Sequence, residues 1–108
     1  MVKHIVTFQM KGTKEERLAA AQDFAARLRA LPEVIDVLEA IEVGINENPA
    51  ENWDLVLTAT VPTMADVAVY ANHPAHVAAA ASAKPHIAAR ACVDYSHSMV
   101  AGGLEEMS

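Results

Sequence analysis

Residues 2–16 read Val2-Lys3-His4-Ile5-Val6-Thr7-Phe8-Gln9-Met10-Lys11-Gly12-Thr13-Lys14-Glu15-Glu16. Side chains alternate across an extended chain, so Val2, His4, Val6, Phe8 and Met10 share one face. Lys3, Ile5, Thr7 and Gln9 share the other. This is the pattern of a half-buried strand whose core face is apolar except at His4. Gly12 closes the strand. Thr13 and Glu16 then have the spacing of a capping box, in which hydroxyl and carboxylate each satisfy a backbone N–H that a helix start leaves free. The predicted helix carries Leu18, Ala21, Phe24, Ala25, Leu28 and Leu31 on one stripe, with charged residues largely elsewhere. Pro32 ends it.

The same alternation of strand and helix continues downstream. A second strand is predicted from about Val34 to Val43, with Gly44 as its stop. Ile45 to Asn52 is a polar loop containing the turn signal Asn48-Pro49. A third strand runs from Trp53 to Val61, with Trp53, Leu55, Leu57, Ala59 and Val61 on one face. Thr63 opens a helix over Met64–Ala71, a second piece follows from Pro74 to about Ala83, and Lys84-Pro85 breaks it. After a short turn at His86–Ala89, a last strand covers Arg90 to about His97. The order β-α-β-β-α-β predicts an α+β, ferredoxin-like domain with both helical regions on one face of a four-stranded antiparallel sheet. That domain is assigned to residues 1–97. The tail 98–108 lacks periodicity and is expected to be loose or draped over a partner.

Ile5, Thr7, Val56 and Thr58 fall on the face without helices, and together they are too apolar to be left wet. A second copy of the chain is the cheapest cover, so a homodimer forming a dimeric α/β barrel is expected. The composition agrees, because a chain that is 53% apolar but only 5% aromatic has a thin core of its own. A net charge of -6, with no run of Lys or Arg, argues against nucleic acid and anionic membranes as partners. No apolar run approaches the ~20 residues that span a bilayer. Val2-Lys3-His4 leads into a strand rather than a signal peptide. Cys92, the single cysteine, excludes an intrachain disulfide and is expected to be a buried, inert thiol. These features lead to the expectation of a cytoplasmic protein; the lack of a glycine-rich phosphate loop argues against nucleotides, and no cofactor is expected.

The chemistry is concentrated in Tyr70-Ala71-Asn72-His73-Pro74-Ala75-His76. Proline disfavours helix for the residue before it and suits the first position of a new one, so His73 should cap and His76 should sit in the first turn. His76 is the candidate general base and Tyr70 the candidate donor to a developing oxyanion. His4 reaches the same space if its strand face looks towards the helices. His73, Phe8 and Phe24 are the candidate ligand contacts, although Phe24 also reads as plain core packing. In the competing structural reading His73 only caps, His76 bonds a backbone carbonyl or water, and Tyr70 is a half-buried anchor. A metal at His73 and His76 is not expected, because zinc wants three or four convergent ligands. His86 and His97 read as solvated, and Asp54 and Asp94 as solvent-facing or salt-bridged.

Val2-Lys3-His4-Ile5-Val6, Gly44-Ile45-Asn46, Trp53-Asp54-Leu55-Val56-Leu57, Tyr70 through His76 and Val93-Asp94-Tyr95, taken in this order, resemble the stress-responsive dimeric α/β-barrel (Dabb) family over residues 2–97. The resemblance implies a homodimer of ferredoxin-like units. A plant branch of that family is a polyketide cyclase that closes a poly-β-keto thioester by aldol condensation. The residues matching its working positions are Tyr70, His76 and His4, with His73 at the first histidine of the motif. Val77-Ala78-Ala79-Ala80-Ala81 departs from that branch, which has bulkier aromatic residues there. Two functions follow: a pocket for an apolar carbonyl compound, with or without cyclase-like chemistry, or a non-catalytic dimer linked to stress. A remoter reading is a monooxygenase-like barrel, with His76 as an iron ligand if haem is involved.

Overall fold

β1 (Val2–Met10) is an inner strand of the sheet, and its alternating burial matches its sequence residue by residue. The computed structural model describes residues 1–97, so the expectation for the tail 98–108 lies outside the described residues. The remaining elements are α1 (Lys14–Arg29), β2 (Ala40–Ile45), β3 (Leu55–Val61), α2 (Met64–Asn72), α3 (Pro74–Ala83) and β4 (Ile87–Ser96). Short 3-10 turns occupy Leu31–Glu33 and Lys84–His86. The strand order is β2-β3-β1-β4, and every pairing is antiparallel. This is the ferredoxin-like α+β arrangement, with its second helical region divided at Pro74.

The core lies between the sheet and the helices. Val6, Phe8 and Met10 of β1 and Leu55, Leu57 and Val61 of β3 meet Phe24 and Leu28 of α1 there. Phe8 and Phe24 pack edge to face, with ring centres 5.1 Å apart. The other face carries Val56, Val93 and Tyr95, all exposed large side chains. No helix among the described residues is long and apolar enough to cross a membrane.

Several boundaries differ from the sequence reading. The stretch predicted as the start of a strand at Val34 is instead a series of turns, and β2 begins at Ala40. Ile35 and Leu38 are buried, yet they are spaced by three residues and enter the core from turns tied back to Leu31. β-Branched composition imitated a strand that the backbone does not form. Gly44 does not stop β2, since it pairs with Val56 inside the ladder. Trp53 lies outside β3 and is 39% exposed, so it does not share the burial of Leu55 and Leu57. Leu18 is likewise exposed on α1. β4 starts at Ile87, earlier than expected. Cys92, expected to be buried, is exposed because β4 is an edge strand.

The turn into α1 depends on one backbone conformation. Gly12 has φ +100°, which L side chains rarely adopt, and a Cβ there would stand 2.8 Å from Glu16 Oε1. That same oxygen accepts the Thr13 N–H at 2.8 Å in the capping box. Gly12→Ala is therefore expected to lower stability by about 1–2 kcal/mol from the backbone alone. Losing the Thr13 cap should add about 1 kcal/mol. Urea unfolding followed by circular dichroism measures it, and a variant as stable as wild type would contradict this account of the turn.

Candidate functional site

Pro74 shapes the corner. His73 is extended (φ -62°, ψ 136°), ending α2 and capping α3 at once. The Ala75 N–H donates to His73 Nδ1 at 3.0 Å. One turn later, His76 Nδ1 lies 2.9 Å from the Ala71 carbonyl oxygen. A carbonyl can only accept, so Nδ1 carries the proton and Nε2 is left as the basic nitrogen. The bond also satisfies one of the carbonyls that the end of α2 leaves free. Both histidines thus do the structural work of the corner, as the competing reading of the motif foresaw.

Tyr70, in the last turn of α2, is fully buried rather than half-buried. Its ring centre is 4.6 Å from that of His76 and 5.8 Å from that of His4. The structure therefore brings His4, Tyr70 and His76 together. Tyr70 Oη has no hydrogen-bond partner among the described residues. Burial pushes the phenol well above its ordinary range, so it remains neutral.

His4 is held from the other side. In the β1–β4 register it stands opposite Asp94, and its Nδ1 is hydrogen-bonded to Asp94 Oδ1. Cys92 Sγ lies 3.5 Å from His4 Nδ1 and 3.7 Å from Asp94 Oδ1. Burial and the Asp94 carboxylate raise the Cys92 thiol, with Arg90 opposing them. Asp54, the other strand aspartate, accepts the Met10 N–H at 2.7 Å and lies 3.4 Å from Arg17.

A cavity of about 420 Å³ opens between β1, α1 and α3. Phe8, Phe24 and Leu28 form part of its apolar wall, and Ala80 and Ala81 of α3 leave it room. His4, His76, Lys84 and Arg90 are its polar lining. His76 is held below its ordinary value, chiefly by burial and further by its electrostatic interactions with His4 and Arg90. Against these, the Ala71 bond acts to raise it. The net result is a neutral imidazole with a free Nε2. Neither Tyr70 nor His73 is part of this lining, and His73 Nδ1 is engaged as the cap of α3. A larger depression of about 660 Å³ lies beside α1 and the β2–β3 connection, lined by charged side chains such as Lys14, Arg17 and Glu47. It holds neither imidazole nor thiol.

Sequence reasoning missed the contribution of β4. Arg90, Cys92 and Asp94 share the face of His4, and pairing the period of β4 against that of β1 was the signal that could have found them.

The stress responsive A/B barrel domain, Dabb, matches residues 2–97. The chain belongs to the Dabb family. It is 42% identical to a dimeric protein of unknown function and ferredoxin-like fold from Bacteroides fragilis, with a TM-score of 0.84 over 89% of this chain and 95% of that one. A dimeric ferredoxin-like protein of unknown function from Thermobifida fusca is 25% identical, with a TM-score of 0.74 over 89% and 90%. A hydroxynitrile lyase from Passiflora edulis shares the fold at 16% identity, TM-score 0.72, over 92% and 94%. No curated protein matches the chain.

Two measurements probe this Dabb site. Tyr70→Phe removes a buried hydroxyl that has no partner among the described residues. The variant should be as stable as wild type or more so, because an unsatisfied buried polar group costs about 1–3 kcal/mol. A clear loss of stability in thermal melts would show that the hydroxyl is satisfied. His76, with its folded pKa depressed, contributes stability that is complete above its unfolded value of 6.5. Below 6.5 the unfolded chain binds the proton more readily, so that contribution falls away as pH drops through the folded pKa. His76→Gln, whose amide can still donate to Ala71, should therefore lose less stability on acidification than wild type does. Urea midpoints across a pH series test this, and parallel curves would refute it.

Proposed function

We propose that this Dabb protein works as a homodimer and holds an apolar carbonyl compound in the cavity beside His76. His76 Nε2 then removes a proton from the carbon next to the carbonyl. The observation that carries this reading is a neutral imidazole, unprotonated at Nε2, lining a cavity whose wall is largely apolar. Such a group is poised as a base near neutral pH and costs little to keep dry.

The electron pair of the broken C–H bond moves to the carbonyl oxygen as an enolate. Lys84 and Arg90 in the lining supply positive charge for that oxygen. Tyr70, neutral and packed against both imidazoles, holds their rings in place from behind the lining. In a compound with a second carbonyl, the enolate carbon attacks that carbonyl carbon. The new alkoxide takes the proton back from His76, closing a ring by an aldol step of the kind the plant cyclases perform. The small side chains of Ala80 and Ala81 favour a ligand wider than one fitted to an aromatic-lined pocket.

The homodimer is supported by the dimeric relative at 42% identity. The chain's own outer sheet face points the same way, since Val93 is 62% exposed beside Val56 and Tyr95. A second copy laid on that face removes this apolar surface from water.

A thermal-shift titration with alkyl-substituted phenols, β-diketones and aromatic acids tests the pocket. At least one compound is expected to stabilise wild type, by about 2.7 kcal/mol at a concentration 100 times its Kd. His76→Gln should weaken or abolish that shift. If no compound shifts wild type, or the shift survives His76→Gln unchanged, His76 is a structural corner and the non-catalytic dimer is the better description.

A further inference from the structure

We infer that His4, Cys92 and Asp94 form a binding site for a zinc-class divalent cation on the edge of the sheet. Three different donors, drawn from two strands, converge there. Asp94 stands opposite His4 in the β1–β4 register, and Cys92, opposite Val6, lies two residues away on the same face. His4 Nδ1, Cys92 Sγ and an Asp94 carboxylate oxygen all lie within 4.8 Å of one another.

The spacing suits a tetrahedral ion. With metal–ligand bonds of about 2.0–2.3 Å, neighbouring ligand atoms of a tetrahedral zinc site stand about 3.3–3.6 Å apart. Sulfur to nitrogen is 3.5 Å here and sulfur to carboxylate oxygen 3.7 Å. The remaining edge, the His4–Asp94 hydrogen bond, opens when an ion takes the place of its proton. The donor set of one thiolate, one imidazole and one carboxylate is that of zinc and its neighbours, whereas magnesium and calcium prefer oxygen alone.

Protons and charge balance in the binding step. Cys92 loses its thiol proton to solvent, and the His4 proton moves from Nδ1 to Nε2. The thiolate and carboxylate then neutralise the two positive charges of the ion. Strand pairing holds the donors before the ion arrives, and His4, only 6% exposed, is anchored against Tyr70. Cys92 and Asp94 are exposed, which gives the ion a way in and leaves the fourth position to water. Arg90, the preceding residue on that face, favours the thiolate but repels the cation. His4 and Arg90 also line the cavity beside His76, so the cation site adjoins that pocket through the His4 ring.

Cobalt(II) titration of the full-length, tag-free chain, with zinc added afterwards, tests the inference. A single equivalent should produce a thiolate-to-cobalt charge-transfer band with the visible bands of tetrahedral cobalt, and zinc should displace both. Cys92→Ser should abolish the charge-transfer band. Asp94→Asn should weaken binding by at least about tenfold, a loss that removal of even an outer partner of a ligand can cause. Both ligand substitutions fall on exposed side chains, and circular dichroism verifies that the variants fold. Absence of the thiolate band in wild type overturns the site, as does undiminished affinity in Asp94→Asn.

Discussion

An imidazole buried on the core face of β1 needs a partner, and much of the site is arranged to supply one. A polar group taken out of water without a hydrogen bond costs several kcal/mol, so an unsupported His4 would be a defect in the sheet. Asp94 provides that support from the neighbouring strand, and Tyr70 closes over the ring from α2. With His4 satisfied at Nδ1, the strand can remain in its apolar register on either side. The Tyr70 contact and the Asp94 bond both answer the burial of that one residue.

The second constraint is the break at Pro74. A continuous helix would carry Ala71 and His76 along one axis, with the Ala71 carbonyl bonded to the backbone N–H of Ala75. The break frees that carbonyl, and the His76 ring takes it. Structural satisfaction and chemical preparation are here the same bond: it repairs the end of α2, and it also fixes the tautomer that makes Nε2 basic. The capping role of His73 and the carbonyl bond of His76 therefore do not argue against chemistry at the corner. They leave the neighbouring cavity with a neutral base that costs the fold nothing further.

The edge position of β4 explains why this rim differs from the rest of the sheet. On β1 and β3 the inward positions are covered by helices and, apart from His4 and Ala59, filled with Val, Leu, Phe and Met. On β4 the same parity carries Arg90, Cys92 and Asp94, which stay exposed. An edge strand left partly uncovered tolerates charge, and charge there also discourages pairing with a stray strand. Of these three, Arg90 reaches the lining of the cavity.

What could be read from the chain alone were features settled within a few residues. The alternation of Val2 to Met10, the capping box of Thr13 and Glu16, the break at Pro74 and the cap at His73 depend on local backbone geometry, and the structure shows each of them. The resemblance carried by the Tyr70–His76 motif led to the same family that the whole-chain match identifies. Local composition misled where burial is reached without a strand: Ile35 and Leu38 are β-branched or apolar and buried, yet they sit in turns. Cys92 misled for the opposite reason, because a strand-like run says nothing of whether its strand lies at an edge. The meeting of His4 with Asp94 and Cys92, across some ninety residues of sequence, was decided only by tertiary structure. Strand register selects which side chains face each other, and a slip of one residue would have turned Asp94 to the opposite face. No local preference carries that information; it comes from packing the whole sheet against its helices.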